Sequence, residues 1–244
     1  RINTDFIDNS AGVDTSDYEV NIKILLDAEV AAGRLDRSEH SRLLHEMTDE
    51  VAEAVLEDNV AQNRALANSL ASAHAHAGVH EQLMATLERS GQLARRPEGL
   101  PSSETLAART AHGRGLVGPE LAMLLATVKH GLAEDVLASE LPDDPYLADR
   151  LVKYFPTPLR ERFGGQMWHH PLARQIITTV AVNRFVDSQG ISAAHRLRAE
   201  TGASTADVLR AQLTARNLMD AGWLETTITS AADMDAATKT LLRV

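Results

Sequence analysis

The sequence contains no cysteine, which excludes disulfide bonds, thiol catalysis and cysteine-ligated metal sites. It has no apolar run of about 18 residues, the length that a membrane-spanning helix requires. It also has no signal-peptide pattern. From these absences we expect a soluble, cytoplasmic protein with no membrane partner.

Basic residues are outnumbered by acidic ones, at 24 Lys and Arg against 34 Asp and Glu, which gives a net charge of -10. A chain this acidic has no general attraction for nucleic acid. Aromatic residues make up 4% of the sequence, whereas hydrophobic residues make up 44%. Because alanine and leucine supply most of that hydrophobic content, the predicted fold class is mainly α.

The helical pattern is clearest between residues 121 and 136, which we expect to form a central core helix. Its apolar positions are Leu121, Leu124, Leu125, Val128, Leu132 and Val136. Candidate caps at Asp36 or Ser38, at Ser102 or Ser103 and at Ser204, together with periodicity, predict further helices, and Gly190, Gly202 and Gly222 divide the last three. The predicted ranges are 17–32, 36–47, 48–75, 80–90, 103–111, 171–188, 191–200, 205–220 and 230–242. Glycine and proline in residues 91–102 predict a surface linker with exposed Arg95 and Arg96.

The first 33 residues predict a strand, a loop and a helix, in that order. Residues 1–8 are interpreted as a short final strand, followed by a loop from Asp8 to Gly12 whose residues tolerate unusual backbone angles. Ser16 and Glu19 have the spacing of a capping box, which predicts that the helix begins at residue 17. Such a junction directs backbone N–H groups and the positive end of a helix toward the edge of a sheet.

The residues of this segment, DNSAGVDTSDYEVNIKI (8–24), resemble the segment that closes the catalytic region of glutamate dehydrogenases. The complete segment is similar to the corresponding segment of the large bacterial NAD-specific glutamate dehydrogenases. Three later stretches resemble the C-terminal helical region of that family: GLVGPELAMLLA (115–126), LPDDPY (141–146) and YFP (154–156). The resemblance therefore covers most of the chain.

The resemblance implies a multi-helix C-terminal domain preceded by a short strand–loop–helix remnant of a dinucleotide-binding, Rossmann-type catalytic domain. We expect residues 1–33 to end the catalytic domain and residues 34–244 to form the helical domain, with a further boundary within 91–102. Since the chain begins with Arg1 and not Met, we expect it to be the C-terminal piece of a longer polypeptide.

The resemblance also implies roles for three residues near the start of the chain. Asn9 matches an asparagine near the nicotinamide of NAD, and Gly12 shapes the cofactor-binding loop. Ser16 matches a serine near the distal carboxylate of the substrate, L-glutamate or 2-oxoglutarate. Ala11 stands where a second glycine is frequent, which weakens the case for close backbone approach to the cofactor. From the residues alone, Asn9 is equally a turn residue and Ser16 equally a helix cap.

No catalytic residue is assigned in this chain. It has no Gly-x-Gly-x-x-Gly phosphate turn, and none of its lysines (Lys23, Lys129, Lys153 and Lys239) lies in a suitable motif. We therefore expect the reactive groups upstream and expect this chain alone to be inactive. His76 and His80 share a helical face near His74, but the pattern lacks the glutamate of a zinc-binding His-Glu-x-x-His motif, so no metal site is predicted.

Two hypotheses remain open at this point. In the first, the chain is the C-terminal region of an NAD-dependent glutamate dehydrogenase of amino-acid catabolism; it serves mainly as a scaffold for the upstream catalytic domain and for assembly of a homo-oligomer. In the second, it is a free-standing helical regulatory or protein-binding module without catalysis.

Overall fold

The computed structural model describes residues 3–242, and every regular element in that range is helical. The mainly α fold class is thus confirmed. No helix within residues 3–242 is long and apolar enough to cross a membrane. The α-helices are α1 Asp5–Asp8, α2 Ser10–Ala31, α3 Arg37–Glu46, α4 Thr48–Ala71, α5 Ala77–Arg89, α6 Ser103–Ala111, α7 Gly118–Leu137, α8 Ala148–Tyr154, α9 Thr157–Phe163, α10 Ala173–Gln189, α11 Ala193–Thr201, α12 Thr205–Leu218, α13 Ala221–Ser230 and α14 Ala236–Leu241. Short 3-10 segments lie at Leu141–Asp143, Pro145–Leu147 and Met167–His169.

Helix α7 lies at the centre of the molecule and packs against α4, α10 and α12. Leu121, Leu124 and Leu125 are completely buried, which confirms the predicted core helix. One continuous hydrophobic cluster extends from Ile7 in α1 to Leu213 in α12. The N-terminal helices therefore pack on the same core as the rest of the described chain.

Several predicted helix caps are present. The carboxylate of Asp36 accepts a hydrogen bond from the backbone N–H of Glu39 at 2.8 Å. The hydroxyls of Ser102 and Ser204 accept equivalent bonds from Thr105 at 3.2 Å and from Asp207 at 3.1 Å. Each bond satisfies an N–H group that the first helical turn leaves without a partner.

The predicted strand over residues 1–8 is wrong for the part that the structure describes, whereas residues 1 and 2 lie outside the described range. Residues Asp5–Asp8 form the short helix α1, with Thr4 as its N-cap residue. The carbonyl oxygen of Thr4 accepts from the N–H groups of Ile7 at 3.1 Å and Asp8 at 2.9 Å. These backbone groups bond within their own turn, so they need no neighbouring strand. The Rossmann-type remnant thus has no strand among residues 3–8.

The predicted capping box is also wrong, because α2 begins at Ser10 and Ser16 lies in its second turn. The polar side chains of this turn bond along the helix instead of capping it. The hydroxyl of Thr15 donates to the carbonyl oxygen of Ala11 at 2.7 Å, and Glu19 pairs with Lys23 one turn later.

Two further expectations need correction. The segment 91–102 is a loop as predicted, but Arg95 is buried within it and bonds Glu81 and Glu88, each at 2.8 Å. Near the C-terminus, Gly222 lies inside α13 and does not separate helices. The helical residues there are Ala221–Ser230 and Ala236–Leu241, in place of a single helix over 230–242.

Gly115, which opens the second stretch of resemblance, lies directly against the loop that follows α4. A methyl group at this position would lie 2.2 Å from the carbonyl oxygen of Ala73, far inside the contact distance of two heavy atoms. Only glycine allows this close approach, so the loop before α7 requires it.

Candidate functional site

The junction between α1 and α2 holds two of the three residues for which a binding role is predicted. Asn9 connects the helices, and its carbonyl oxygen accepts from the N–H of Gly12 at 3.1 Å. A methyl group on Gly12 would lie 3.2 Å from Oδ1 of Asn9, so the Asn9 side chain rests against the bare backbone of Gly12. The structure thus brings Asn9 and Gly12 together.

Two asparagines on α4, Asn59 and Asn63, hold this junction through hydrogen bonds. The Asn59 amide donates to the hydroxyl of Ser10 at 2.9 Å and, more weakly, to the carbonyl oxygen of Ile7 at 3.5 Å. Asn63 donates to the carbonyl oxygen of Asn59 at 3.0 Å and accepts from the Asn3 amide at 3.2 Å. This amide ladder sets the angle at which α2 leaves the junction.

Ser16 lies four residues after Gly12 on the same helix, and both are exposed. Helical spacing therefore places them on one side of α2, one above the other, with Asn9 at its end. We call Asn9, Gly12 and Ser16 the outer face. Ala11 instead packs against the core, so the alanine that departs from the family pattern points away from this face.

The opposite side of α2 is anchored to α8 by aromatic and amide contacts. Tyr18 is buried and stacks on Tyr154, with ring centroids 4.5 Å apart and planes inclined by 6°. The Asn21 amide donates to the Tyr154 hydroxyl at 3.0 Å, and Nε2 of His170 lies 3.1 Å from the Asn21 carbonyl oxygen. These contacts hold α2 at a fixed rotation about its axis, which keeps the outer face outward.

Behind α2 lies a polar cavity of about 490 Å³, lined by residues from α2, α4, α8, α10, α12 and α13. Asp14 and Asp58 face one another there. Burial, reinforced by the charges of Asp58 and Asp17, raises the pKa of Asp14 to about 7. The pKa of Asp58 is also raised, chiefly because the surrounding protein keeps water from part of its carboxylate, although the residue as a whole is exposed. Asp14 therefore takes up a proton as the pH falls through about 7, and the protonated carboxyl group can then donate a hydrogen bond to Asp58.

A buried ion pair lies beside these acids. Nζ of Lys129 on α7 lies 2.8 Å from a carboxylate oxygen of Asp187 on α10, and the two side chains are 14% and 10% exposed. Lys129 also donates to the side chain of Gln62 at 3.4 Å. Burial raises the pKa of Asp187, and Lys129 acts against that rise.

Sequence reasoning missed Asp14, Asp58 and Asp187 as a group and considered Lys129 only as one of four lysines. These residues come from four different helices, so no local spacing joins them. The available signal was that Asp14 and Tyr18 lie one turn apart, on a different side of α2 from Gly12 and Ser16.

The histidines near the end of α4 are separated from this site. His80 is 2% exposed, and burial lowers its pKa to about 4. Its ring centroid lies 6.3 Å from that of His76. Among the described residues, no group of three or more His, Cys, Asp or Glu side chains is arranged to hold a metal ion.

The two sides of α2 offer different chemistry. The outer face presents an amide, bare backbone and a hydroxyl, which bind polar groups but do not titrate near neutral pH. The inner side presents the carboxyl group of Asp14, whose pKa is about 7, near the ion pair of Lys129 and Asp187. The outer face thus suits ligand binding, and the inner side suits positioning of the helix that carries it.

Two protein families match separate parts of the chain. A family described as "Bacterial NAD-glutamate dehydrogenase, catalytic domain" matches residues 1–69. A family described as "Glutamate dehydrogenase, C-terminal" matches residues 113–243, which is more than half of the chain. The chain belongs to the glutamate dehydrogenase family. The predicted resemblance is confirmed.

Three relatives of this glutamate dehydrogenase chain carry the name NAD-specific glutamate dehydrogenase. The protein of Mycobacterium tuberculosis is 49% identical over 210 residues, which cover 86% of the chain and 13% of the relative. The proteins of Halomonas elongata and Pseudomonas aeruginosa are each 43% identical, covering 89% and 88% of the chain and 14% and 13% of the relatives. The chain therefore spans about one seventh or less of the length of these relatives.

Proposed function

We propose that this chain is the C-terminal part of an NAD-dependent glutamate dehydrogenase. The reaction oxidises L-glutamate with water to 2-oxoglutarate and ammonia and transfers a hydride to NAD. The observation that carries the proposal is the order of the two family matches, with a catalytic-domain family over residues 1–69 and a C-terminal family over residues 113–243. The 43–49% identity to NAD-specific enzymes supports the choice of cofactor.

In this proposal the outer face completes a ligand site whose main part lies in the upstream catalytic domain. Asn9 makes no side-chain bond to the first turn of α2, so its amide is available to the carboxamide of NAD. Gly12 leaves room for that amide. The Ser16 hydroxyl, on the same exposed face, suits a hydrogen bond to the distal carboxylate of glutamate.

The remaining helices act as a scaffold. The predicted division assigns residues 1–33 to the end of the catalytic domain and residues 34–244 to the helical domain, although the match to the catalytic-domain family continues to residue 69. In this proposal the intact protein assembles as a homo-oligomer. The turn between α12 and α13 supports this role, because Leu218, Met219 and Trp223 are 82%, 80% and 65% exposed. An apolar surface of this kind is typical of a region covered by another protein surface.

Substitution of the outer face in the intact enzyme tests the proposal. We expect Ser16→Ala to raise the KM for glutamate roughly tenfold, the cost of about one hydrogen bond to a charged group, and to leave the KM for NAD nearly unchanged. We expect Asn9→Ala to raise the KM for NAD more than that for glutamate. Steady-state kinetics with each substrate varied in turn measures both.

Ser230→Ala is the matched control, because Ser230 is an exposed helical serine whose hydroxyl donates to the carbonyl oxygen of Thr226. Its kinetic constants should equal those of the unmodified enzyme. If Ser16→Ala and Ser230→Ala behave alike for both substrates, Ser16 has no role in binding glutamate.

A further inference from the structure

The first two turns of α2 carry the helical residues of the outer face and are held at both ends. At their start, the Asn59 amide donates to the Ser10 hydroxyl at 2.9 Å. At their end, Tyr18 stacks on Tyr154 with ring centroids 4.5 Å apart. Asp14 lies between these two anchors and lines the polar cavity. A change in how Asp14 contacts its neighbours therefore acts directly on the turns that carry the outer face.

One oxygen of Asp14 indicates that its contact with α4 requires a proton. Oδ2 of Asp14 is shielded from solvent and has no hydrogen-bond donor among the described residues. The group within hydrogen-bond reach of Asp14 is another acid, Asp58 on α4. Buried polar atoms nearly always have a partner, and two carboxyl groups can bond one another only when one of them is protonated. The packing of α2 on α4 thus leaves room for one shared proton between two carboxyl groups.

The charges nearest to these two carboxyl groups are mostly negative. Beyond the effect of burial, Asp17 on α2, Glu57 on α4 and Asp187 on α10 raise the pKa of one or other acid. Lys129 on α7 acts against that rise, but it is already paired with Asp187 at 2.8 Å. The other titratable groups of the cavity wall face it from α2, α4, α8, α10, α12 and α13; they are Tyr18, Arg64, Arg150, Lys153, Tyr154, Arg184, Arg216 and Glu225. A second negative charge between α2 and α4 is therefore poorly compensated.

We infer that the proton shared by Asp14 and Asp58 holds α2 on α4, which makes Asp14 a positioning residue for ligand binding at the outer face. With the proton present, the carboxyl group of Asp14 donates to Asp58 across the contact between the helices. Without it, two carboxylates repel one another at the same place, and the turns that carry Gly12 and Ser16 are held less firmly. The part of this inference that concerns ligand binding rests on the proposed function, whereas the part that concerns α2 does not.

Hydrogen–deuterium exchange on the intact protein tests how firmly α2 is held. The backbone amides of residues 10–17 are followed by mass spectrometry between about pH 6 and 8.5, and each rate is corrected for its intrinsic dependence on pH. Because the folded pKa of Asp14 is about 7, we expect the protection of these amides to fall roughly fivefold over this range. In Asp14→Asn and in Asp58→Asn the protection should stay constant, because an amide can donate to the remaining carboxylate at every pH.

Steady-state kinetics of the intact enzyme over the same pH range tests the consequence for binding. We expect the KM for glutamate of the unmodified enzyme, divided by that of Asp14→Asn at the same pH, to rise roughly threefold from pH 6 to 8.5. The ratio removes the pH dependence that both enzymes share. A loss of protein stability without a role in positioning would lower the amount of active enzyme and leave this ratio constant.

Asp233→Asn is the control, because Asp233 is an exposed acid outside the cavity. It should follow the unmodified protein in both measurements. The inference fails if Asp14→Asn and the unmodified protein show the same dependence of exchange on pH. If the exchange differs but the KM ratio stays constant, α2 is still held by the shared proton. That result would overturn the role of Asp14 in ligand binding and would count against the outer face as a ligand site.

Discussion

At the scale of the residue, Asp14 shows how one carboxyl group becomes sensitive to pH near neutrality. Its pKa is about 7 in the folded chain and about 3.8 in the absence of the fold. The folded state therefore binds this proton more tightly than the unfolded state does. The resulting stabilisation is fully present below about pH 4 and is lost as the pH rises toward 7.

We expect Asp14→Asn to remove this dependence, because an asparagine amide can donate to Asp58 at every pH. The variant should be roughly 1 kcal/mol more stable than the unmodified protein at pH 8. This is well below the free energy that corresponds to the whole pKa shift, because the carboxyl group keeps some contact with solvent. The difference should vanish near pH 4.5. Thermal unfolding followed between pH 4.5 and 8.5 measures it. Asp233→Asn, at an exposed position, should show no pH-dependent difference, and a constant offset for Asp14→Asn would contradict the expected proton binding.

The sequence predicted the residues of the outer face but not the acids behind it. One short segment, whose sequence resembles that of a known family, contains Asn9, Gly12 and Ser16. Asp14 lies in the same segment, yet its importance depends on Asp58, which is brought near only by the packing of α2 on α4. The prediction that Arg95 is exposed was wrong for a related reason. Its partners Glu81 and Glu88 lie on α5, whereas the composition of the loop alone favoured exposure.

At the scale of the element, the pair of Lys129 and Asp187 joins the two helices with the most extensive contact in the described chain, α7 and α10. We expect Lys129→Met to destabilise the protein by about 3–5 kcal/mol, because Asp187 is left charged and without its partner in a mostly buried position. Urea unfolding followed by circular dichroism measures the loss.

Lys153→Met is the control, since Lys153 pairs with Asp149 on the surface, where the side chains are 69% and 68% exposed. Its cost should be about 0–0.5 kcal/mol. The double variant Lys129→Met, Asp187→Leu should recover most of the stability, because it removes the unpaired charge. Equal losses for the two lysine variants would mean that the buried pair adds nothing beyond a surface pair.

Helix prediction succeeded where the signal was local and strong. The leucines of α7 and the caps at Asp36, Ser102 and Ser204 depend on residues within a few positions of one another, and all are present. The strand over residues 1–8 and the capping box at Ser16 failed because short polar segments fit several structures. Contact of Ile7 with the core and of Ser10 with Asn59 selects the helical one.

At the scale of the whole molecule, the hydrophobic core crosses both predicted domain boundaries. Residues from α1 and α2 belong to the same buried cluster as those of α7, α10 and α12. We therefore expect the 244-residue chain to unfold in a single transition, with coincident urea curves from circular dichroism and from tryptophan fluorescence. Two separated transitions would instead support independent units divided near residue 33 or within 91–102.

Helix α2 has an exposed side and a buried side, and substitutions on the two sides have different consequences in a cell. Changes at Gly12 or Ser16, on the exposed side, leave the core untouched, so we expect a cell to accumulate normal amounts of the altered protein. Changes at Tyr18 or Leu25, on the buried side, lower the folded population, and the cell's proteases would remove the product. Exposed-side and buried-side variants would then differ in how much protein is present, although their positions lie within four turns of one helix.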